Sequence, residues 1–75
     1  MNLCEAKLNT NCKITEMELP DEKVKIRLME LGLNVGSIVK VENQSALKQT
    51  LLIVFNYSCF TLKRDIAKYL KINYV

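Results

Sequence analysis

Apolar and polar side chains alternate along five short segments of the chain, and this two-residue period is typical of half-buried β-strands. The predicted strands are 12–17, 37–42, 50–55, 58–62 and 71–75. The residues on the other side of each strand are expected to face outward, Cys59 among them. The positions predicted to face inward are Ile14, Val39, Val41, Leu51, Ile53, Phe55, Ser58 and Phe60.

Two segments have the longer period of an amphipathic helix. The first is predicted from Asp21 to Leu31, and its apolar stripe consists of Val24, Leu28 and Leu31. Asp21 suits the N-cap, because its carboxylate accepts a backbone N–H that the first turn leaves unpaired. A second, shorter helix is predicted over residues 63–70.

Both glycines of the chain, Gly32 and Gly36, lie between the first helix and the second strand. Gly32 follows the helix where a left-handed residue would end it, so Leu33 is expected to pack back on Leu28 in a Schellman cap. Residues 34–37 are expected to form a type II turn, in which Gly36 supplies the positive φ at the third position. The segment is therefore predicted to be a structural corner.

Turn-forming residues predict two further connections. A polar loop is expected over residues 43–49, and Asn56 with Tyr57 is expected to form a hairpin turn, because Asn tolerates a left-handed conformation. Several short strands with small helices between them indicate a mainly β fold with two short helices. The architecture that fits this pattern is a small, partly open SH3-like β-barrel.

The chain has 75 residues, which suffice for one domain with one core. We expect a single domain over 1–75, with an N-terminal arm over 1–9 and the barrel over 10–75. The longest apolar run, 51–55, is far shorter than the roughly 20 residues that span a bilayer, and no secretory signal precedes it. A cytoplasmic location is expected. The odd number of cysteines suits reduced thiols in such a compartment: Cys4, Cys12 and Cys59.

The residue types needed for common catalytic and metal sites are missing. The chain has no histidine and two glycines, which excludes imidazole chemistry and a glycine-rich phosphate loop. Glu16 and Glu18 share a strand face, but that face is expected to be solvated. The cysteines are scattered, whereas thiolate metal centres need clustered ligands. We therefore expect no enzyme activity, no catalytic or cofactor-binding residue and no built metal site.

Three outward-facing apolar residues, Ile38, Leu52 and Val54, lie on neighbouring predicted strands. A contiguous exposed apolar patch often marks a partner site, although the N-terminal arm or a helix would cover it equally well. Net charge is −3 over residues 1–22 and +6 over 23–75. This asymmetry fits solvated helix faces, or a basic face that meets an acidic partner or nucleic acid.

The segment 27–41 reads Arg-Leu-x-x-Leu-Gly-Leu-x-x-Gly-x-x-Val-x-Val and resembles the core signature of FeoA, the small cytosolic component of bacterial ferrous-iron uptake. The resemblance covers about 8–72, implies an SH3-like barrel, and extends to the module that ends metal-dependent repressors related to the diphtheria-toxin repressor. A second match lies near the C-terminus, at Leu62, Arg64, Asp65, Ala67, Leu70 and Ile72. The signature residues of the corner are Arg27, Leu28, Leu31, Gly32, Leu33 and Gly36.

The resemblance implies a non-enzymatic accessory protein that contacts the cytosolic part of the membrane transporter FeoB, which carries a GTPase domain. The resemblance also leaves open weak binding of Fe²⁺ by carboxylates. It is compatible with a weak homo-oligomer. An arginine donated in trans can stabilise phosphoryl-transfer charge, although stabilising the helix end is the simpler role for Arg27. The candidate partner surface comprises Ile38, Leu52, Val54 and Arg64.

Two other functions stay open at this point. A free-standing SH3-like module of a metal-dependent repressor system would bind a DNA-binding repressor. A nucleic-acid-binding barrel would need aromatic platforms in a basic groove. Its candidates, Tyr57, Phe60, Tyr69 and Tyr74, are few, so nucleic acid is not expected as a partner.

Overall fold

The fold is a five-stranded antiparallel sheet accompanied by two short helices, and the prediction of a mainly β structure is confirmed. The computed structural model describes residues 1–45 and 49–75. The strand order is β4-β3-β2-β1-β5. The elements are a 3₁₀ helix at Leu3–Glu5, β1 at Asn11–Met17, α1 at Glu22–Glu30, β2 at Ile38–Ser45, β3 at Thr50–Phe55, β4 at Ser58–Lys63, α2 at Arg64–Ala67 and β5 at Leu70–Tyr74.

The core lies on one face of this curved sheet, where alternate strand residues point inward. Phe55 and Phe60 are half-buried at its margin. Ser58 lies on the same face of β4 as Phe60, but it is exposed because it follows the hairpin turn, beyond the margin of the core. The buried strand residues are Cys12, Ile14, Met17, Val39, Val41, Leu51, Ile53, Leu62, Leu70 and Ile72.

β2 is longer than its apolar pattern predicts. It continues through residues 43–45, which we expected in a polar loop. A register shift between Val41 and Asn43 lets the strand bend and keep pairing with β3, so Gln44 lies opposite Leu51. Positions 46–48 of the predicted loop lie outside the described residues, and Gln49 lies in a turn as expected.

The second helix is shorter than predicted. α2 ends at Ala67, whereas the sequence pattern extended it to residue 70. Leu70 instead begins β5, where it is buried and lies opposite Met17 of β1. Strand pairing therefore takes over where the apolar periodicity alone would have continued the helix.

The first residues lie along the outer edge of β5. Met1 accepts a hydrogen bond from the N–H of Ile72 at 2.9 Å, and Asn2 forms an isolated bridge with Lys71. The side chains of Asn2 and Glu5 form a capping box on the 3₁₀ helix. Leu3 is fully buried, so this segment contributes to the core as well as to the sheet edge.

Candidate functional site: the glycine corner and the surfaces beside it

The corner begins with a Schellman cap at the end of α1. The N–H of Leu33 donates to the carbonyl of Leu28 at 3.0 Å, and the N–H of Gly32 donates to the carbonyl of Met29 at 2.9 Å. Gly32 has a φ of 94°, in the region that favours glycine. Leu33 is fully buried and Leu28 nearly so, which is the apolar contact expected of this motif.

A type II turn completes the corner and ties it to the sheet. Ser37 donates its N–H to the carbonyl of Asn34 at 3.0 Å, and Gly36 has a φ of 96°. The N–H of Gly36 donates to the carbonyl of Ile14 at 2.7 Å, and Ile14 donates back to Ser37 at 2.9 Å. The corner is therefore continuous with β1 through two backbone hydrogen bonds.

Leu31 does not belong to the buried stripe of α1. Its side chain is 58% exposed, whereas Leu28 is 4% exposed and Val24 is half-buried. Leu31 is the C-cap residue, and the chain turns there toward Gly32, so Leu31 extends away from the core. The predicted stripe is wrong at Leu31, whose exposed side chain adds apolar surface at the end of α1.

One pocket lies between the end of α1 and the β3–β4 hairpin. Its volume is about 250 Å³. An added Cβ at Gly32 would lie 3.4 Å from Cε2 of Phe55, so the hairpin closely approaches the corner. We call it the hairpin pocket, and it is lined by Leu31, Phe55, Asn56, Ser58, Cys59 and Phe60.

A second depression lies on the other side of α1, with a volume of about 300 Å³. Met29 is 46% exposed there and Val35 62% exposed, so its walls present apolar surface beside one cationic side chain. Both depressions lie at or below the lower end of the range for small-molecule sites, about 300–1,000 Å³, and are better matched to individual side chains of a partner. We call the second the helix groove, and it is lined by Met17, Lys25, Met29, Asn34 and Val35.

The strand patch inferred from alternation is less continuous than the sequence suggested. Ile38 is 43% exposed, while Leu52 and Val54 are half-buried. Lys40 lies opposite Val54, and Asn43 lies opposite Leu52. Polar side chains therefore alternate with the apolar ones on this face.

Arg64 lies at the other end of the same strands. It follows β4, and its N–H donates to the carbonyl of Gln49 at 2.9 Å, just before β3 begins. Ile38 lies beyond the Lys40–Val54 pair, at the opposite end of β3. The two are separated by most of the length of a six-residue strand, about 20 Å. The structure does not bring Arg64 and Ile38 together.

Arg27 is exposed in the last turn of α1, where a cation favours the negative end of the helix dipole. Its carbonyl accepts the N–H of Leu31 at 3.2 Å. This placement agrees with a helix-end role and leaves the guanidinium at the surface.

The cysteines lie in three different environments. Cys12 is buried, Cys4 is half-buried and Cys59 is exposed. Burial raises the pKa of the Cys12 thiol; it also raises that of Cys4, where the nearby charge of Arg64 partly opposes the shift. Among residues 1–45 and 49–75, no group of three or more His, Cys, Asp or Glu side chains is placed to hold a metal ion.

The helices are also too short and too polar for a membrane crossing. Within the described part of the chain, none has the length and apolarity that spanning a bilayer requires.

The hairpin pocket and the helix groove were not predicted from the sequence. Each joins residues far apart in the chain, such as Leu31 with Phe60, and strand alternation carries no information about that approach. The one local signal was the excess of apolar residues on α1, where Ile26 and Met29 fall outside the stripe assigned to the core.

Solved FeoA structures share this fold. FeoA from Chlorobium tepidum is 27% identical, with a TM-score of 0.91 over 100% of this chain and 70% of its own. FeoA from Stenotrophomonas maltophilia in complex with zinc, a procaryotic SH3 domain protein, is 24% identical, with a TM-score of 0.81 over 97% of this chain and 89% of its own. The SH3-like prediction is thereby confirmed.

Two further structures show how the fold occurs within longer chains. Iron(II) transport protein A from Clostridium thermocellum is 17% identical, with a TM-score of 0.88 over 100% of this chain but 46% of its own. ScaR with bound Zn²⁺ is 16% identical, with a TM-score of 0.86 over 100% of this chain and 37% of its own. This chain thus spans less than half of either protein.

Sequence comparison assigns the family. No match was found among curated proteins. The family model of the FeoA domain matches residues 1–73, nearly the whole chain and including both glycines of the corner. On this match, the chain belongs to the FeoA domain family.

Proposed function

We propose that this protein is a non-enzymatic, cytoplasmic accessory protein of bacterial ferrous-iron transport, which binds the cytosolic part of a FeoB-like membrane transporter. The observation that carries the proposal is membership of the FeoA domain family together with exposed apolar surface around the signature corner. The FeoA of Stenotrophomonas maltophilia has itself been put forward as an activating factor for bacterial ferrous iron transport.

The contact is proposed to use both sides of α1. Leu31 opens onto the hairpin pocket, and Met29 and Val35 line the helix groove. These side chains are 46–62% exposed, so much of their apolar area is free to stabilise a complex. Lys25 adds one cation at the groove, which favours a partner segment with an acidic residue beside its apolar ones.

The strand patch of Ile38, Leu52 and Val54, with Arg64, stays a second proposed contact surface. Its exposed apolar area is smaller because two of its three apolar members are half-buried. Different substitutions are expected to disrupt the two surfaces, so one binding experiment with both variants can separate them.

Binding of the purified protein to the cytosolic part of the transporter, measured by calorimetry, tests the proposal. Leu31→Lys should weaken binding at least about tenfold, a loss of about 1.4 kcal/mol, without loss of folding. Leu52→Lys adds the same charge to the strand patch, and comparing the two variants tells the two proposed surfaces apart. Equal weakening by both variants would extend the contact to the strand patch, and wild-type protein that does not bind at all would contradict the proposal.

A contribution of Arg27 to GTP hydrolysis by the transporter is a separate part of the hypothesis. The guanidinium is exposed at the end of α1 and free to reach a partner. If it stabilises charge during phosphoryl transfer, wild-type protein should accelerate hydrolysis and Arg27→Ala should not. Identical rates with both proteins would assign Arg27 to the helix end alone.

A further inference from the structure

The two edge strands of the sheet, β4 and β5, differ in whether another segment of the chain pairs with their outer backbone groups. On β5, the first two residues of the chain occupy the edge, through the bond from Ile72 to Met1 and the bridge from Asn2 to Lys71. On β4, no hydrogen bond from elsewhere in residues 1–45 and 49–75 reaches the backbone of Cys59 or Thr61. Within the described residues, the first two residues of the chain cover part of the β5 edge, and the β4 edge is open.

The hairpin geometry determines which backbone groups β4 leaves unpaired. Asn56 and Tyr57 both have positive φ, 54° and 66°, which makes a two-residue type I′ turn closed by the Phe55–Ser58 pair. Alternate residues of β4 then bond to β3, and the intervening Cys59 and Thr61 direct their N–H and C=O groups outward. Both of these residues are exposed.

This open edge lacks the features that usually prevent strand pairing. Protected edges carry a charge, a proline or a bulge. The centre of β4, residues 59–62, has no charged residue and no proline, and its register with β3 is regular throughout. The first charge, Lys63, stands at the far end of the strand.

We propose that β4 is a self-association edge, at which two copies of this chain pair their β4 strands antiparallel about Phe60. A second copy is the occupant because the edge is complementary to itself in this register. Phe60 lies opposite Phe60 of the second copy as an aromatic cross-strand pair, and Cys59 lies opposite Thr61 of the second copy. The lysines are kept apart, and each Lys63 comes level with Tyr57 of the second copy.

Tyr57 provides a second reason for this register. It is completely exposed and holds a left-handed conformation that costs a non-glycine residue about 1–2 kcal/mol. In the isolated protein, the Tyr57 side chain forms no hydrogen bond and no cation–π interaction with the residues that the structure describes. In the pair of copies it lies beside an ammonium group, where a cation–π interaction is favourable.

The association is expected to be weak. A single strand pair buries less than the roughly 1,200 Å² typical of stable complexes, so we expect a dissociation constant on the order of 0.1–1 mM. Each copy carries a net charge of +3, so added salt should strengthen association by screening the repulsion.

Sedimentation equilibrium across that concentration range tests the proposal. The weight-average mass of the wild-type protein should rise with concentration from the monomer value toward the dimer value. Thr61→Pro should weaken dimerisation at least about tenfold, because proline removes an outward N–H and is tolerated on an open edge. Thr61→Lys should do the same by placing charge on the edge, whereas Asn73→Lys, with the same charge on β5, should dimerise like wild type.

Three results would overturn the proposal: a wild-type monomer at every concentration, a Thr61→Lys protein that still dimerises, or equal loss in Asn73→Lys. If a transporter segment rather than a second copy occupies the edge, wild type stays monomeric and Thr61→Lys reduces binding to the transporter instead. Circular dichroism of each variant separates loss of pairing from loss of folding.

Disulfide trapping tests the register. Opposed residues of a hydrogen-bonded pair have Cα atoms about 5.5 Å apart, within disulfide range. With glutathione disulfide as oxidant, T61C should form a covalent dimer through Cys59 of the second copy, and the double variant C59S/T61C should not. A cross-link in the double variant that joins position 61 to position 61, identified by peptide mapping to separate it from a cross-link through Cys4, would contradict pairing about Phe60.

Discussion

At the scale of single residues, four positions hold the chain in left-handed conformations next to the candidate surfaces. Gly32 and Gly36 form the corner, and Asn56 and Tyr57 form the hairpin turn beside it. The glycines adopt these angles without steric cost and Asn56 tolerates them, whereas Tyr57 adopts its angle at a cost. The corner is therefore built from residues suited to it, and the hairpin retains strain beside the pocket.

Replacing Gly36 tests the backbone requirement alone. No atom lies within 4 Å of an added Cβ there, so Gly36→Ala should cost only the strain of a positive φ, about 1–2 kcal/mol in the free energy of unfolding. Gly36→Asn should cost less, because Asn tolerates this region. Urea denaturation measures both, and an alanine variant as stable as wild type would mean that the turn can adopt another conformation.

Val35 occupies the second position of the type II turn, where proline is favoured. Its backbone N–H donates no recorded hydrogen bond among the described residues, and its side chain is 62% exposed. We expect Val35→Pro to raise the free energy of unfolding by about 0.4–1 kcal/mol by restricting the unfolded chain. Thermal melting checks this, and a clear loss of stability would contradict the turn type.

At the scale of elements, alternation predicted the strands well because each buries one face. Cys12 and Ile14, for example, are buried on β1 as the period requires. The ends of the elements could not be predicted, because they depend on which strands pair, and local periodicity carries no information about pairing. Leu70 belongs to β5 through its partner Met17, and Asn43 belongs to β2 through a bulge. The exposure of Leu31 has the same origin, since it depends on how the corner turns.

The first segment of the chain is an element in its own right, with a stability that can be measured. Leu3 is fully buried, so Leu3→Ala should lower the free energy of unfolding by about 2–5 kcal/mol. Leu8→Ala is the matched control, because Leu8 is 46% exposed and should change stability little. Equal effects in urea denaturation would show that the segment does not pack as described.

At the scale of the whole molecule, a surface ion-pair cluster joins the first and last strands. Nζ of Lys71 lies 3.3 Å from Glu18 and 3.6 Å from Glu16. A hydrogen bond with Glu16, and then the Lys71 ammonium, lower the pKa of Glu18 below its ordinary value. Glu18 in turn raises the pKa of Lys71.

These shifts predict how stability depends on pH. The contribution of Glu18 is present above its unfolded pKa and is lost as pH falls through its lower folded pKa. That of Lys71 is present below its unfolded pKa and is lost as pH rises through its higher folded pKa. Because the groups are fully exposed, the effect should be small.

Urea denaturation across the pH range checks this dependence. Lys71→Met should remove the alkaline dependence that Lys71 contributes and reduce, without abolishing, the acid dependence, because the contact of Glu18 with Glu16 remains. Glu42→Gln, which removes an exposed carboxylate on β2, should leave the alkaline side unchanged. A Lys71→Met profile that matches wild type would show that the cluster does not stabilise the fold.

The candidate site also depends on the whole molecule. The signature residues of the corner were found from the sequence because glycine spacing is local. The hairpin pocket was not, because it exists only once β3 and β4 bring Phe55 and Phe60 against the end of α1. The proposed strand patch is less apolar than the sequence predicted, because Lys40 and Asn43 enter it from the neighbouring strand.

The segment that occupies the β5 edge also limits how far assembly can proceed. If β4 pairs as proposed, then while Met1 and Asn2 stay in place the described part of each molecule offers one available edge, and joining at β4 stops at two copies. If these two residues were cleaved or displaced, every molecule would have two unpaired edge strands, and open-ended filaments would form instead of closed pairs. The contact of two residues, Met1 and Asn2, with β5 thus separates a finite complex from a growing fibre.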